Sequence, residues 1–151
     1  MTRAAHREFR DVLDEATHTR VVSLCREGDS LAAREDFAGA VAKYREAHAL
    51  LPPPAGRWEA ATWIYTAIGD ALFHAGDYQV ARTFLHKALT CPNGLGNAFV
   101  HLRLGQTQYE VGNLVGAQRE LSRAYAVGGK RVFEGDDPKY LAFAVKALKP
   151  K

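Results

Sequence analysis

A chain of 151 residues, 47% hydrophobic and 25% charged, is one domain that can bury a core without disulfide or metal staples. Its net charge of +3 is uneven: residues 1–129 hold 14 basic and 14 acidic side chains, whereas residues 130–151 hold six basic (Lys130, Arg131, Lys139, Lys146, Lys149 and Lys151) against three acidic. The excess belongs to the tail, which permits an acidic partner but argues against the broad basic face that nucleic acid needs.

Residues 2–17 are predicted to form an N-terminal helix. Ala5, Phe9, Val12, Leu13 and Ala16 make one apolar stripe, and Thr2 can cap its start. It is expected to cover the apolar end of a helical stack, either ending near Thr17 or running on into the next helix. This start lacks the apolar core of a signal peptide, and no run in the chain is long enough to span a membrane, so a cytoplasmic protein is expected. Cys25 and Cys91, on different segments, are accordingly expected as free thiols.

Residues 19–52 read as a helical hairpin. Its first helix, about 19–34, has Val21, Val22, Leu24, Cys25 and Leu31, interrupted by the polar stretch Arg26-Glu27-Gly28-Asp29. Its second helix, 36–51, shows Phe37, Ala40, Val41, Tyr44, Ala47 and Leu51 at helical period and ends at Pro52-Pro53-Pro54, because proline lacks the N–H and restricts the residue before it. Residues 57–92 form a second hairpin, whose first helix is expected to include Trp58 in an extra turn. Gly76 stops that helix, and Asp77 is expected to cap the next one through its side chain. Residues 97–128 form a third hairpin, with Asn97 as its cap and Gly112-Asn113 as its turn. Two shorter helices complete the chain within 129–148, about 129–134 and 137–148. Asp136 or Asp137 caps the second of these, and Pro138 lies in its first turn.

The three hairpins share a register of small residues. Gly28, Ala40 and Ala47 in the first recur as Gly69, Ala81 and Ala88 in the second and as Gly105, Ala117 and Ala124 in the third. Glycine inside a helix costs about 1 kcal/mol against alanine, so Gly69 points to a close backbone approach by a neighbour. The pattern resembles the tetratricopeptide repeat, a helix pair of about 34 residues with small residues at positions eight, twenty and twenty-seven. The resemblance implies an all-α solenoid of three helical hairpins with N- and C-terminal capping helices, here one domain spanning the chain.

No constellation for catalysis or metal binding is present. The histidines form neither HxxxH nor HExxH, neither cysteine belongs to a CxxC, and Gly94-Leu95-Gly96 follows no strand. The expectation is therefore no enzyme, no cofactor, no metal, and a partner that is a protein. In the repeat family the first helix of each pair lines a concave surface, through positions two, five, nine, twelve and thirteen. That mapping selects Val22, Cys25, Asp29, Ala32 and Ala33; then Trp63, Thr66, Asp70, Phe73 and His74; then Phe99, Leu102, Gln106, Tyr109 and Glu110. Of these, Asp29, Trp63, Thr66, Asp70, Phe73, His74, Phe99, Gln106, Tyr109 and Glu110 are the candidate contact residues. Aromatic anchors beside charge make binding hot spots. The aromatic residues either anchor a partner or pack on neighbouring helices, whereas Asp70 and Glu110 have little structural reason to face inward. The family's chaperone-binding members hold a terminal carboxylate with Lys, Asn and Arg. Positions five and nine here are Cys25, Thr66 and Leu102, then Asp29, Asp70 and Gln106, so that clamp is missing.

A closer resemblance covers Trp58 to Phe143. The segments Gly96-Asn97-Ala98-Phe99, His101-Leu102-Arg103-Leu104-Gly105-Gln106 and Glu134-Gly135-Asp136-Asp137-Pro138-Lys139-Tyr140 are similar to those of small bacterial repeat proteins often encoded beside polymorphic toxins and thought to be their immunity proteins. The resemblance implies a cytoplasmic inhibitor that binds one toxin domain. The other reading is a general adaptor or scaffold that takes a peptide or helix of a partner protein.

Overall fold

Helix boundaries follow short polar side chains that satisfy the N–H groups a helix start leaves open. The computed structural model describes residues 12–148. Helix α1 (Glu15–Ala33) begins after Asp14, whose carboxylate accepts the Thr17 backbone N–H and the Thr17 hydroxyl, both at 2.8 Å. Most of the expected helix 2–17 lies outside the described residues. Its described end differs from expectation, because the Asp14 cap starts the first hairpin's helix at Glu15 rather than near residue 19. Asp36 caps α2 (Phe37–Ala49) through the Gly39 N–H at 2.9 Å.

The second hairpin is α3 (Glu59–His74) and α4 (Tyr78–Leu89). Two details depart from the sequence reading. Trp58 is not in an added helical turn: it is extended, preceded by the 3-10 turn Ala55–Arg57, and its indole N–H donates to the Pro52 carbonyl at 2.7 Å. Asp77 occupies the cap position of α4, yet its side chain accepts no backbone N–H there. Asn97 caps α5 (Ala98–Glu110) through the N–H groups of Phe99 and Val100, and Asn113 caps α6 (Leu114–Gly128) through that of Gly116. A 3-10 turn, Lys130–Phe133, leads to α7 (Pro138–Leu148), where Asp137 accepts the Lys139 N–H at 3.0 Å. Asp136 does not cap; it is used elsewhere.

The small-residue register does what its spacing implies. A Cβ on Gly28 would lie 2.5 Å from the Tyr44 ring, one on Gly69 2.5 Å from Leu85, and one on Gly105 2.7 Å from the Leu121 side chain and 2.9 Å from its backbone nitrogen. The six matching alanines, Ala40, Ala47, Ala81, Ala88, Ala117 and Ala124, are fully buried. Each hairpin thus closes tightly over its glycine, against a side chain at Gly28 and Gly69 and against the backbone as well at Gly105, and large residues such as Ile64, Ile68, Leu85 and Leu121 fill the remaining space. Each such buried side chain contributes about 1.5–3 kcal/mol.

Successive hairpins stack by α2 on α3, α4 on α5 and α6 on α7. The first helices also touch along their own row, α1 to α3 and α3 to α5. This closer row is the inner layer, and α2, α4 and α6 form the outer one. Among the described residues no helix is long and apolar enough to cross a membrane. Cys25 and Cys91 are free thiols.

Candidate protein-binding surface

The inner row offers an open surface at its N-terminal half. Two hollows, of about 350 and 290 Å³, share Trp63 and Ala67 as a common wall. Val22, Cys25, Arg26 and Asp29 from α1 and Tyr44 from α2 complete the larger. Thr66, Asp70 and Phe99 line the smaller. Trp63 remains 42% exposed and Phe99 38%, large values for aromatic rings on helices that face a neighbour. Each hollow holds one carboxylate. Asp29 Oδ1 accepts the Tyr44 hydroxyl proton at 2.7 Å, which fixes the acid in place and, after burial, pushes the phenol pKa up. Burial and the neighbouring Asp29 also raise the Cys25 thiol to about 11, so it stays protonated. The Thr66 hydroxyl is turned back on its own helix, donating to the Thr62 carbonyl at 2.6 Å.

Asp70 has a structural partner that local spacing did not reveal. Arg103 of α5 is buried, and its Nε lies 2.7 Å from Asp70 Oδ1, as an ion pair whose N–H is not aligned on the oxygen. Its Nη1 donates to Gln106 Oε1 and reaches Asp136 Oδ1 at 3.3 Å. The guanidinium also lies over two rings, 4.9 Å from the Phe73 centroid and 5.0 Å from that of Phe99. Planar, delocalised arginine suits this combination of fork and stack. His74 Nε2 sits 3.4 Å from the same Asp70 oxygen and stacks on Phe37. Burial alone would raise the Asp70 pKa, but the contact with His74 and the charge of Arg103 outweigh it and hold the carboxyl below its usual range.

The third-hairpin part of the expected surface beyond Phe99 is covered. Gln106 is fully buried and serves Arg103, so it is not a contact residue on an open face. Tyr109 packs edge-on against Tyr140 and Phe143 of α7, at 5.5 and 5.3 Å between centroids. Glu110 Oε1 accepts from Lys139 Nζ at 3.0 Å and from the Tyr140 hydroxyl at 3.2 Å. Asp70 and Glu110 thus face inward for reasons of packing, contrary to the sequence reading. What the structure brings together on the open half is Asp29, Trp63, Thr66, Asp70 and Phe99. Phe73 and His74 lie at the edge of the arginine cluster, and Tyr109 and Glu110 hold α7.

A second internal pair escaped the sequence reading. His101 and Glu120 are both buried, with Nδ1 2.6 Å from Glu120 Oε2. The Gly96 N–H donates to His101 Nε2 at 3.0 Å, so Nδ1 carries the proton and donates to the carboxylate. The ring ties the entry turn of α5 to the middle of α6. Among the described residues no group of three His, Cys, Asp or Glu side chains could hold a metal ion.

The arrangement is that of a tetratricopeptide-like helical solenoid. No family model matches the chain, and no curated protein matches it. Solved structures do match. The first such repeat domain of Spaghetti (RPAP3), bound to the HSP90 peptide SRMEEVD, has a TM-score of 0.66 at 13% identity, covering 85% of this chain and 90% of that one. The second repeat domain of human RPAP3, in complex with the HSP70 peptide SGPTIEEVD, has a TM-score of 0.66 at 13% identity, covering 89% and 99%. MamA has a TM-score of 0.61 at 16% identity, covering 85% and 76%.

Proposed function

We propose that this protein is a non-catalytic protein-binding module and that it engages its partner through the open half of the inner layer. The observation that carries this reading is the exposed Trp63 wall between two hollows, each with one carboxylate. An exposed indole beside the exposed Asp29 suits a partner that inserts an apolar group next to a basic one. The partner proposed is a folded toxin domain with a basic cleft, which makes the protein an immunity-type inhibitor. Support for that choice is the resemblance of Trp58–Phe143 to repeat proteins encoded beside polymorphic toxins. A prefolded groove suits tight inhibition, because it loses little conformational entropy on binding.

The alternative is an adaptor that takes a peptide, as the RPAP3 domains do in their solved complexes. The test is affinity capture with tagged protein from a lysate of its source, run beside Trp63→Ala and Asp29→Ala. One stoichiometric partner with a toxin-like domain, lost with Trp63→Ala, is the expected result. Several partners sharing a short motif would establish the adaptor instead, and capture unchanged by either substitution would remove the groove as the site.

A further inference from the structure

The two layers differ in charge. The outer helices carry six basic residues, Lys43, Arg45, Arg82, Lys87, Arg119 and Arg123, against Glu46 and Glu120. The inner helices α1, α3 and α5 reverse this, with Arg20, Arg26 and Arg103 against six acids, among them Asp29 and Asp70. Counting charge along the sequence hid this, since alternate helices cancel; the fold sorts them.

Four of the outer cations are engaged within the molecule. Lys43 pairs with Glu46 at 3.6 Å and Glu27 at 3.9 Å, Arg119 and Arg123 flank Glu120 at 3.3 and 3.5 Å, and Arg82 donates to the side-chain oxygens of Gln79 and Gln108. Arg45 and Lys87 differ. Among the described residues neither forms an ion pair with a carboxylate. Both sit over rings: the Arg45 guanidinium lies 5.4 Å from the Phe84 centroid, and the Lys87 ammonium lies 5.3 Å from the same centroid and 5.8 Å from that of Tyr65. His48 Nε2 shares a hydrogen bond of 2.9 Å with the Tyr65 hydroxyl. Both cations thus lie over one ring, and burial, then the charges of Lys87 and Arg45, lower the His48 pKa beside them. An aromatic face holds a cation in place without neutralising it. The result is two exposed, ordered and uncompensated cations across the seam of α2 and α4.

We propose that this seam docks an acidic segment of a partner protein, with Arg45 and Lys87 meeting its carboxylates and His48 and Tyr65 offering hydrogen bonds beside them. A peptide fits better than nucleic acid. The faces of Phe84 and Tyr65 are taken by the cations, which leaves no platform for base stacking, and two free cations neutralise little of a phosphate backbone. The seam is built by other side chains than the Trp63 groove, so its failure leaves the proposed function standing.

The test is a titration of the isotope-labelled full chain with a hexaglutamate peptide at low salt, followed by amide and side-chain NMR shifts. Inorganic phosphate and a hexauridine oligonucleotide serve as comparison probes. Shifts are expected at Arg45, His48, Tyr65, Phe84 and Lys87, fading at high salt. Arg45→Glu with Lys87→Glu is expected to weaken binding by about tenfold or more. If that double variant loses its helical circular dichroism, Arg45→Gln with Lys87→Gln provides the same comparison. No binding, equal binding by the variant, or shifts centred elsewhere would overturn the proposal. So would phosphate matching the peptide, which would leave only a small-anion site, or hexauridine binding the seam more tightly.

Discussion

The first and third hairpins share one register of small residues and put their inner helices to opposite uses. In α1 only Val21, Leu24 and Gly28 are buried, and Asp29 stands exposed beside the hollow it lines. In α5 every residue from Val100 to Gln108 is buried, five of the nine being polar or charged. The difference comes from neighbours. Helix α5 is packed by α3, α4, α6 and the C-terminal turn and helix, so its polar side chains must find partners inside the protein. Among the described residues helix α1 has α2 and, more lightly, α3. The same repeat unit therefore makes a presenting surface at one end and a polar core at the other.

The largest expected effect breaks the core end. Arg103→Ala removes the cation shared by Asp70 and Asp136 and leaves Gln106 Oε1 without its donor. Loss of one partner from a buried ion cluster costs about 3–5 kcal/mol, which urea unfolding will measure. Next comes a paired comparison of glycines. Gly105→Ala presses its methyl on the Leu121 backbone and is expected to cost about 2–3 kcal/mol, whereas Gly28→Ala meets only the outer edge of the Tyr44 ring and is expected to cost about 1 kcal/mol. Equal costs would mean that the first hairpin is packed as firmly as the third.

A smaller effect appears with acid. The folded Asp70 carboxyl is held below its unfolded value of about 3.9. Its contribution is thus fully present above that value and is lost as pH falls through the folded one. Asp70→Asn should flatten the stability profile below about pH 4, and an unchanged profile would show that Arg103 does not depend on that charge. The smallest change in stability is expected for Trp63→Ala. A surface substitution of this kind shifts the urea midpoint by an amount equivalent to about 0.5 kcal/mol or less, while partner affinity falls by about 2 kcal/mol or more.

The hairpins were legible because their signal is local. Gly28, Gly69 and Gly105 with their alanines, and the caps Asn97 and Asp137, act within one helix pair and repeat at fixed spacing. The candidate surface was half legible. Trp63 and Phe99 stand where the repeat mapping puts them, but Gln106, Tyr109 and Glu110 are taken up by groups far along the chain. Arg103 meets Asp70 across 33 residues and Asp136 across another 33, and no spacing rule connects them. The one hint was an arginine between Leu102 and Leu104 in a helix that already carried a packing glycine. The start of α1 was misplaced because the apolar stripe runs through Asp14, and the cap overrides the stripe.

The Arg103 cluster also restricts how such a protein can change over generations. Repeat solenoids commonly grow or shrink by copying a unit, since each unit meets only others like itself. Here the third hairpin draws on an acid from the hairpin before it and on another from the turn after it. A duplicate would bury a second arginine beside an uncharged glutamine, Gln106, where the first finds Asp70, and a deletion would strand Asp70 and Asp136 without their cation. Copying or losing the third hairpin is therefore penalised, whereas residues such as Trp63 and Asp29, on the face that the cluster leaves free, can be exchanged without disturbing it.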